Sequence, residues 1–288
     1  MTKLILVSLL PAILFVMEGK AALGQERKQL VQEVFQTELV YPQEKGELQL
    51  TTVARSTWPG RGVRIIQLPV LVEYGITDSW QLGIEWNAFT SMKYRDAADV
   101  RGVGDLSIAT QYSFMNIRDS TYHAAVGLEA EIPVASVSNG ISGGILTVTP
   151  FMVVAKDLPK LNYTHLFTQV RVDLVRRVRG RADDGEVDAH GFSWNAGVVV
   201  PVRRFRFTTE FSWSTNRWNH GGHDSETYLT PGTVVELPGA WEVGVGIPMG
   251  LTGGSDKFGV VFKVTREFGG EKDVKSKTDP NREAVTHR

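Results

Sequence analysis

The chain contains no cysteine among its 288 residues. A disulfide framework and a lipid anchor attached through an N-terminal cysteine are therefore both excluded. An excess of charge of one sign is also lacking, because 31 Lys and Arg residues balance 32 Asp and Glu residues, for a formal net charge of −1. Domains that bind nucleic acid usually carry a clear positive excess, so we expect no nucleic-acid partner.

Long apolar runs are scarce. The longest is Leu4–Met17, which Pro11 interrupts and which is shorter than the ~20 residues of a membrane-spanning helix. Lys3 precedes this run and the small residues of Ala22-Leu23-Gly24 follow it, as in a secretory signal peptide. We predict a signal peptide over residues 1–24, with cleavage before Gln25.

What the chain does have is a series of short segments in which apolar and polar residues alternate. In the clearest, SWQLGIEWNAF, one face carries Trp80, Leu82, Ile84, Trp86 and Ala88, and the other carries Gln81, Gly83, Glu85 and Asn87. Strict alternation predicts a β-strand with one apolar and one polar face. The mean hydropathy of −0.11 is compatible with a membrane location, because half of every strand in a transmembrane barrel is polar.

Twelve segments of this kind are predicted. They are residues 47–55, 63–74, 79–89, 102–114, 121–133, 144–156, 162–174, 191–202, 204–215, 226–237, 240–251 and 257–268. Short connections such as Gly75–Asp78 alternate with longer ones such as Val175–His190. Bacterial barrels have this asymmetry, with short periplasmic turns, longer external loops and an even number of strands. The sequence therefore predicts an all-β fold, a transmembrane antiparallel up-and-down β-barrel of about 12 strands over residues 47–268, in the bacterial outer membrane.

Two polar segments flank the predicted barrel. Residues 25–46 are interpreted as a periplasmic lead-in with a partly helical pattern, which could tuck into the barrel mouth. Residues 269–288 are poor in apolar side chains and are predicted to be a disordered periplasmic tail. The last strand ends on Phe268, as in the signal that barrel-assembly machinery recognises, although Arg266 and the tail depart from that signal.

Aromatic residues occur at the predicted periplasmic strand ends with the parity of the apolar face. They are Tyr74, Trp80, Phe114, Tyr122, Phe205, Trp241 and Phe268. Transmembrane barrels carry such girdles at the membrane interface. We therefore predict an outward aromatic girdle at this end.

The opposite parity is predicted to line the lumen. The candidate lumen-lining residues are Glu73, Glu85, Asp105, Glu129, Glu131, Arg171, Asp173, Arg206, Glu210 and Glu242. Acids outnumber bases, and buried carboxylates without partners are costly. Either the lumen holds water and favours cations, or acids and bases form a network that plugs it. Inward glycines such as Gly244 and Gly246 leave room for a ligand or for large side chains from the facing wall.

Catalytic and metal-binding patterns are weak. A phospholipase-like barrel needs a Ser and a His close together on the lipid-facing wall, and no His within a predicted strand of this chain has a Ser two positions away. His220, His223 and Asp224 are spaced like metal ligands but are more typical of a hydrated turn. We predict no enzymatic activity, no catalytic residues, no metal site and no cofactor.

Three stretches carry a family resemblance: YGITDSWQLGIE from Tyr74, GVGDLSIATQYSF from Gly102, and the segment from Leu229 to Phe268 with its W-E-x-G-x-G-x-P pattern. They resemble a family of outer-membrane transporters associated with the meta-pathway of phenol degradation. The resemblance implies a barrel that moves small molecules, with hydrophobic and aromatic ones as candidates. It carries over no binding residues, although Asp105 matches a recurrent acidic position near the external rim.

Two functional hypotheses follow. In the first, the barrel passes a small solute across the outer membrane. In the second, it is plugged, and it serves as a structural or surface-binding barrel without transport. The expected partners are outer-membrane lipid and lipopolysaccharide, barrel-assembly machinery during biogenesis, and the solute. The arginine-rich loop of residues 176–181 could contact lipopolysaccharide phosphates or simply be solvated.

Overall fold

The structure is a computed structural model, and it describes residues 34–60, 62–95, 98–179, 190–215 and 225–269. The predicted signal peptide, most of the predicted C-terminal tail, and His220, His223 and Asp224 lie outside the described residues. Within them the chain is almost entirely β-strand, with two short 3-10 turns at Ile117–Asp119 and Pro159–Leu161.

Fourteen strand segments make up the sheet. They are β1 (Leu48–Gly60), β2 (Val63–Thr77), β3 (Trp80–Lys93), β4 (Val100–Gly102), β5 (Leu106–Phe114), β6 (Tyr122–Ile132), β7 (Ile145–Leu158), β8 (Thr164–Arg177), β9 (Gly191–Val202), β10 (Phe205–Thr215), β11 (Ser225–Leu237), β12 (Trp241–Gly246), β13 (Met249–Gly250) and β14 (Phe258–Phe268). Every pairing is antiparallel, and β1 pairs with β14 from Leu48 opposite Phe268 to Trp58 opposite Phe258. The sheet is therefore closed.

Two barrel strands are each divided into two segments. β4 and β5 together form one strand beside β3, and β12 and β13 together form one strand beside β11. Counting each of these pairs once gives a closed antiparallel barrel of 12 strands. The predicted fold class is confirmed.

The two interruptions correct the continuous strands predicted over residues 102–114 and 240–251. At the first, the N–H of Gly104 donates to the Asn87 carbonyl and the N–H of Asn87 donates to the Asp105 carbonyl, which is an irregularity of the β-bulge kind. At the second, Pro248 lacks the N–H that a ladder position needs. Its carbonyl still accepts from Gly259 at 2.8 Å, so the wall stays closed.

The outer face of the barrel is apolar along its whole middle. In the described strands every Asp and Glu has the inward parity, and outward cations occur only near strand ends. Large outward side chains such as Leu82, Ile84 and Val126 are exposed. An apolar band of this extent is unfavourable in water and favourable against lipid. Among the described residues, no helix is long and apolar enough to cross a membrane.

The two ends of the barrel differ. At one end the strands are joined by short connections, such as residues 78–79 between β2 and β3 and residues 203–204 between β9 and β10. At the other end the connections are longer, such as residues 133–144 between β6 and β7, except for the two-residue connection 61–62 between β1 and β2. We refer to these as the short-turn end and the long-loop end.

Candidate functional site

The lumen contains a segment of the chain itself. Residues 34–46, which we call the plug, enter the barrel at the short-turn end and run along its inner wall without helical structure. The plug is tied to the wall by Gly46, whose N–H donates to the Gly75 carbonyl at 2.8 Å. The lead-in predicted for residues 25–46 thus lies inside the barrel over its described part, and no helix forms there.

Apolar side chains of the plug pack against the inner wall. Leu39 and Val40 are fully buried, and Val34 and Tyr41 nearly so. They form one cluster with side chains from β6, β7, β8 and β9, namely Ala125, Phe151, Val153, Ala155, Phe167 and Val199. Burying a side chain of this size contributes about 1.5–3 kcal/mol. The inner wall at this end is therefore built to hold protein, since these six positions, which could face water, are aromatic or aliphatic.

Three glycines form the seat of Phe35. An ideal Cβ at Gly232, Gly244 or Gly246 would lie 2.2, 3.2 or 2.7 Å from the Phe35 ring. The ring therefore occupies the space that the missing side chains leave. The sequence left open whether the inward glycines accommodate a ligand or a bulky side chain, and at these positions the bulky side chain comes from the plug.

The tip of the plug is held by Glu210. The N–H groups of Phe35 and Gln36 donate to its two carboxyl oxygens at 2.9 and 3.0 Å. Glu210 is completely buried, and its place halfway along β10 puts the tip of the plug near the middle of the barrel. Further along the plug, Gln111 donates to the Leu39 carbonyl at 3.0 Å.

A second anchor involves Tyr41 near the short-turn end. Its hydroxyl donates to Asp157 Oδ1 at 2.8 Å. The same carboxyl group accepts from His123 Nε2 at 3.1 Å and from His165 Nδ1 at 2.7 Å. Because His123 Nδ1 accepts the N–H of Asn116, its proton must lie on Nε2 when the ring is neutral. Two histidines on the wall thus orient the carboxyl group that fixes Tyr41.

Several predicted lumen-lining residues lie in the half that the plug occupies. Glu73 is buried and accepts from Gln49 at 2.8 Å and from Gln81 at 3.0 Å. Gln81 in turn accepts the N–H of Gln43 of the plug at 2.8 Å. Between Glu38 of the plug and β2, β3 and β5 a cavity of about 20 Å³ remains, enough for about one water molecule. This half of the lumen is filled.

At the short-turn end of the same half, Arg206 is buried and forms an ion pair with Glu236. Glu242 lies opposite Glu236 in the β11–β12 register. Arg206 thus places its guanidinium beside a pair of acids that would otherwise repel each other.

The other half of the lumen is open and acidic. Glu85 and Glu131 are exposed on the inner face, in register with Ser107 between them on β5. Their neighbours are partly neutralised: Glu129 forms an ion pair with Arg171, and Asp173 accepts from Thr149 at 2.8 Å. Among the described residues of this half, Arg55 and Arg177 share the inward parity of Arg171, and these three arginines are outnumbered by the inward acids Glu85, Glu129, Glu131, Asp173 and Glu226.

Asp105 has a local structural role at the long-loop end. Its carboxyl group accepts the N–H of Ala135 at 2.9 Å and the Ser142 hydroxyl at 2.8 Å. Arg179 donates to the carbonyls of Pro133 and Ala135 from the other side. These contacts fold the loop of residues 133–144 over the rim. Arg179 is one of the loop arginines considered for phosphate contact. Its guanidinium instead donates to carbonyl groups of the loop of residues 133–144.

The structure places the seven residues of the proposed girdle on the outer face at the short-turn end. Tyr74, Trp80, Tyr122, Trp241 and Phe268 are 40–47% exposed; Phe114 and Phe205 are half-buried. Arg266 lies between two of them, with its guanidinium 4.8 Å from the Trp241 ring centre and 5.3 Å from that of Phe268. Such cation–π contacts are favourable, which explains how an outward arginine is accommodated.

Sequence reasoning missed the parts of the site that depend on the plug. Asp157 was not among the candidates because the predicted sixth strand, over residues 144–156, ended one residue before it. Phe35, Leu39 and Val40 stand out as apolar residues in a polar lead-in, and that signal could have indicated a buried segment. His123 and His165 are buried on the inner face, so neither lies on the lipid-facing wall where a phospholipase needs its base.

No protein-family model matches the chain, and no curated protein matches its sequence. Solved structures do match its fold. An outer membrane channel from Pseudomonas putida F1 is 11% identical with a TM-score of 0.60, over 80% of this chain and 98% of that chain. The NanC porin is 12% identical with a TM-score of 0.50, over 76% and 97%. The KdgM porin is 8% identical with a TM-score of 0.50, over 77% and 99%.

At these identities the likeness extends to the fold, a barrel of the kind found in outer-membrane channels and porins. The resemblance to the phenol meta-pathway family stays a prediction.

Proposed function

We propose that this chain is an outer-membrane channel for a small solute and that its own N-terminal plug closes the lumen. The observation that carries the proposal is the division of the lumen, which is filled by residues 34–46 in one half and open and polar in the other. The solute enters the open half and passes when the plug shifts. The plug then acts as the gate of the channel.

The location rests on three observations. The chain begins with a signal-like segment, its described strands have an outer face free of acids, and its connections are sorted into short turns and long loops. Together these support insertion in the outer membrane with the short-turn end toward the periplasm. The plug then closes the channel from the periplasmic side.

The form of the plug supports movement. It is an extended segment held by side chain–backbone hydrogen bonds at Glu210, Gln81 and Gln111, and each such bond contributes only about 0.5–1.5 kcal/mol net. It adds no strand to the barrel, whose hydrogen-bonded ring is closed by β1 and β14. The plug can therefore leave without opening the wall.

The chemistry of the open half limits the solute. The inward acids of this half outnumber its arginines, and exposed Glu131 repels anions, so small cations and uncharged molecules are favoured. Uncharged aromatic molecules are candidates through the family resemblance. Arg171, whose guanidinium lies 5.6 Å from the Phe151 ring centre, forms the floor of this half together with that ring.

A plugged barrel without transport is the second candidate. Complete burial of Leu39 and Val40 favours it, because a segment packed so well could be a permanent part of the core. In that case the functional contacts of the molecule would be made by its surface loops. The two candidates differ in whether the plug ever leaves.

Planar-bilayer recording of the purified protein separates them. For a gated channel we expect long closed periods interrupted by openings, with cations favoured over anions in a salt gradient. Liposome swelling should then be faster with glucosamine, a cation, than with glucuronate, an anion of similar size, because neither of these polar solutes crosses lipid readily without a channel. Silent bilayers at every voltage, together with swelling no faster than in empty liposomes, would favour the plugged barrel.

A further inference from the structure

The outer face carries a row of aromatic and cationic side chains at the long-loop end. The pairing registers place Phe258 of β14 opposite Trp58 of β1, and Arg64 of β2 opposite Lys93 of β3. Arg101 of β4 lies opposite Ser91, two residues from Lys93 on the same face. The row therefore crosses five neighbouring strand segments.

Two of these cations are placed where they repel each other. Arg64 and Lys93 are a directly opposed cross-strand pair, and like charges in that position are destabilising. Both are exposed on the outer face. Neither has a carboxylate within ion-pair distance among the described residues. Arg101 does, since its guanidinium lies 3.5 Å from Asp99, but this contact is largely exposed. An anion between Arg64 and Lys93 would relieve the repulsion.

Arg64 is held in place by its neighbours. Its Nε donates to Ser56 Oγ at 3.1 Å, and its guanidinium lies 5.2 Å from the centre of the Trp58 ring. That ring is stacked on Phe258 with 4.5 Å between centres and 15° between planes. An ordered guanidinium loses less freedom on binding an anion than a mobile one does.

The outward cations of the short-turn end differ from this row. At the short-turn end Lys156 donates to the Tyr122 hydroxyl at 2.8 Å, and Arg266 lies between two aromatic rings. In the described strands these two cations are not cross-strand neighbours, since β7 and β14 are far apart in the sheet order. The row at the long-loop end thus concentrates charge where the other end disperses it.

We propose that Arg64, Lys93 and Arg101 form a site for the phosphate groups of lipopolysaccharide. Adjacent strands are about 4.8 Å apart, so the three cations extend over roughly 10 Å and suit a glycolipid with more than one phosphate. Apolar side chains below them, such as Leu68 and Phe89, are exposed toward lipid and would contact the acyl chains. The site uses the orientation proposed above, in which the long-loop end lies in the outer leaflet.

The test is native mass spectrometry of the full-length protein in detergent, titrated with diphosphorylated lipid A. The variant Arg64→Gln/Lys93→Gln removes the opposed pair. The matched control Lys156→Gln/Arg266→Gln removes two outward cations at the other end. We expect the first variant to bind at least about tenfold more weakly, since it loses two charge-assisted contacts, and the control to bind like the native protein. Heat-modifiable gel migration verifies that each variant is folded.

Equal binding by the first variant and the native protein would overturn the site, and so would an equal loss in the control. The swap Arg64→Lys/Lys93→Arg keeps both charges and should retain most of the affinity. Phosphatidylglycerol and monophosphorylated lipid A distinguish the sources of phosphate. Binding of phosphatidylglycerol as tight as that of diphosphorylated lipid A would contradict the choice of ligand. These outcomes do not depend on conduction, so failure here is separable from failure of the channel proposal.

Discussion

The two halves of the lumen are lined by the same strands but differ in what their side chains meet. On β8, His165 and Phe167 are buried against the plug side of the wall. Further along the same strand, Arg171 and Asp173 are half-exposed in the open half. One half has the packing of a protein core and the other the polarity of a surface. The difference shows that closure comes from a folded-in segment more than from ion pairs across the lumen.

The comparison also separates two uses of polar residues on the inner face. In the filled half, the carboxyl groups of Glu210 and Asp157 accept hydrogen bonds from the plug. In the open half, Glu129 and Asp173 are bonded to wall residues, which leaves Glu131 on the path of a solute. Changes in the first group should therefore alter gating, and changes in the second group should alter selectivity.

Removal of the plug should have the largest effect. Deletion of residues 25–45 takes away the apolar side chains that fill the periplasmic half, each worth about 1.5–3 kcal/mol in its buried position. We expect a channel that stays open, with an open probability at least about tenfold higher in planar bilayers. A variant with a Gly/Ser sequence of equal length over residues 34–44 should behave in the same way. Unchanged closed periods in both variants would show that other residues close the lumen.

Loss of the Glu210 anchor should have the next largest effect. Glu210→Ala leaves the N–H groups of Phe35 and Gln36 without their acceptor, at a cost of about 1–3 kcal/mol. We therefore expect open probability in single-channel recordings to rise about tenfold. The control Glu226→Ala changes an inward acid at the long-loop end of β11, whose carboxyl group accepts from the Tyr228 hydroxyl, and it should leave gating close to native. Equal open probability in the two variants would show that Glu210 does not hold the plug in its closed position.

A paired substitution tests the glycine seat of Phe35. Gly246→Ala places a Cβ 2.7 Å from Phe35 Cγ, and overpacking of this kind costs about 1–3 kcal/mol. We expect the single variant to gate more often than the native channel. Adding Phe35→Ala removes the clash, so the double variant should open no more often than Phe35→Ala alone. Additive effects of the two changes in open probability would mean that the two positions do not meet.

A change in the open half should have the smallest effect. Glu131→Gln removes one exposed carboxylate from the open half without touching the plug. We expect the cation preference, measured as the reversal potential in a salt gradient, to fall by about twofold or less, with gating unchanged. Asp119→Asn, in an exposed turn outside the lumen, should change neither quantity. A change in open probability in Glu131→Gln would contradict the assignment of gating to the filled half and of selectivity to the open half.

The alternation of residue types was sufficient to predict the barrel. Each strand carries its own pattern, as in Trp80 to Phe89, and lipid on one side makes that pattern strict. The interruptions at Asp105 and Pro248 were not predicted, because they arise from contacts with neighbouring strands. The sequence indicated only that the lead-in could tuck into the barrel mouth. Its burial along the inner wall was not predicted, because its side chains are buried by residues that are distant in sequence, such as Phe151 and Val199.

The glycines illustrate the same limit at the candidate site. Their inward parity followed from the alternation, but what fills the space beside them is a matter of tertiary structure. Gly232, Gly244 and Gly246 face Phe35. Phe35 lies about 200 residues earlier in the sequence. No local pattern connects these positions.

The central claim is that the plug must move for a solute to pass, and a reversible cross-link tests it most directly. The Cβ position at Gly246 is 2.7 Å from Phe35 Cγ, one bond from Phe35 Cβ, so a disulfide between Phe35→Cys and Gly246→Cys fits the usual Cβ separation of about 3.5–4.5 Å. The native chain has no cysteine to interfere. We predict that the oxidised double variant is silent in planar bilayers and that reduction restores openings. The conductance of each single variant should not change when the reductant is added. Equal conductance before and after reduction of a verified cross-link would contradict the account.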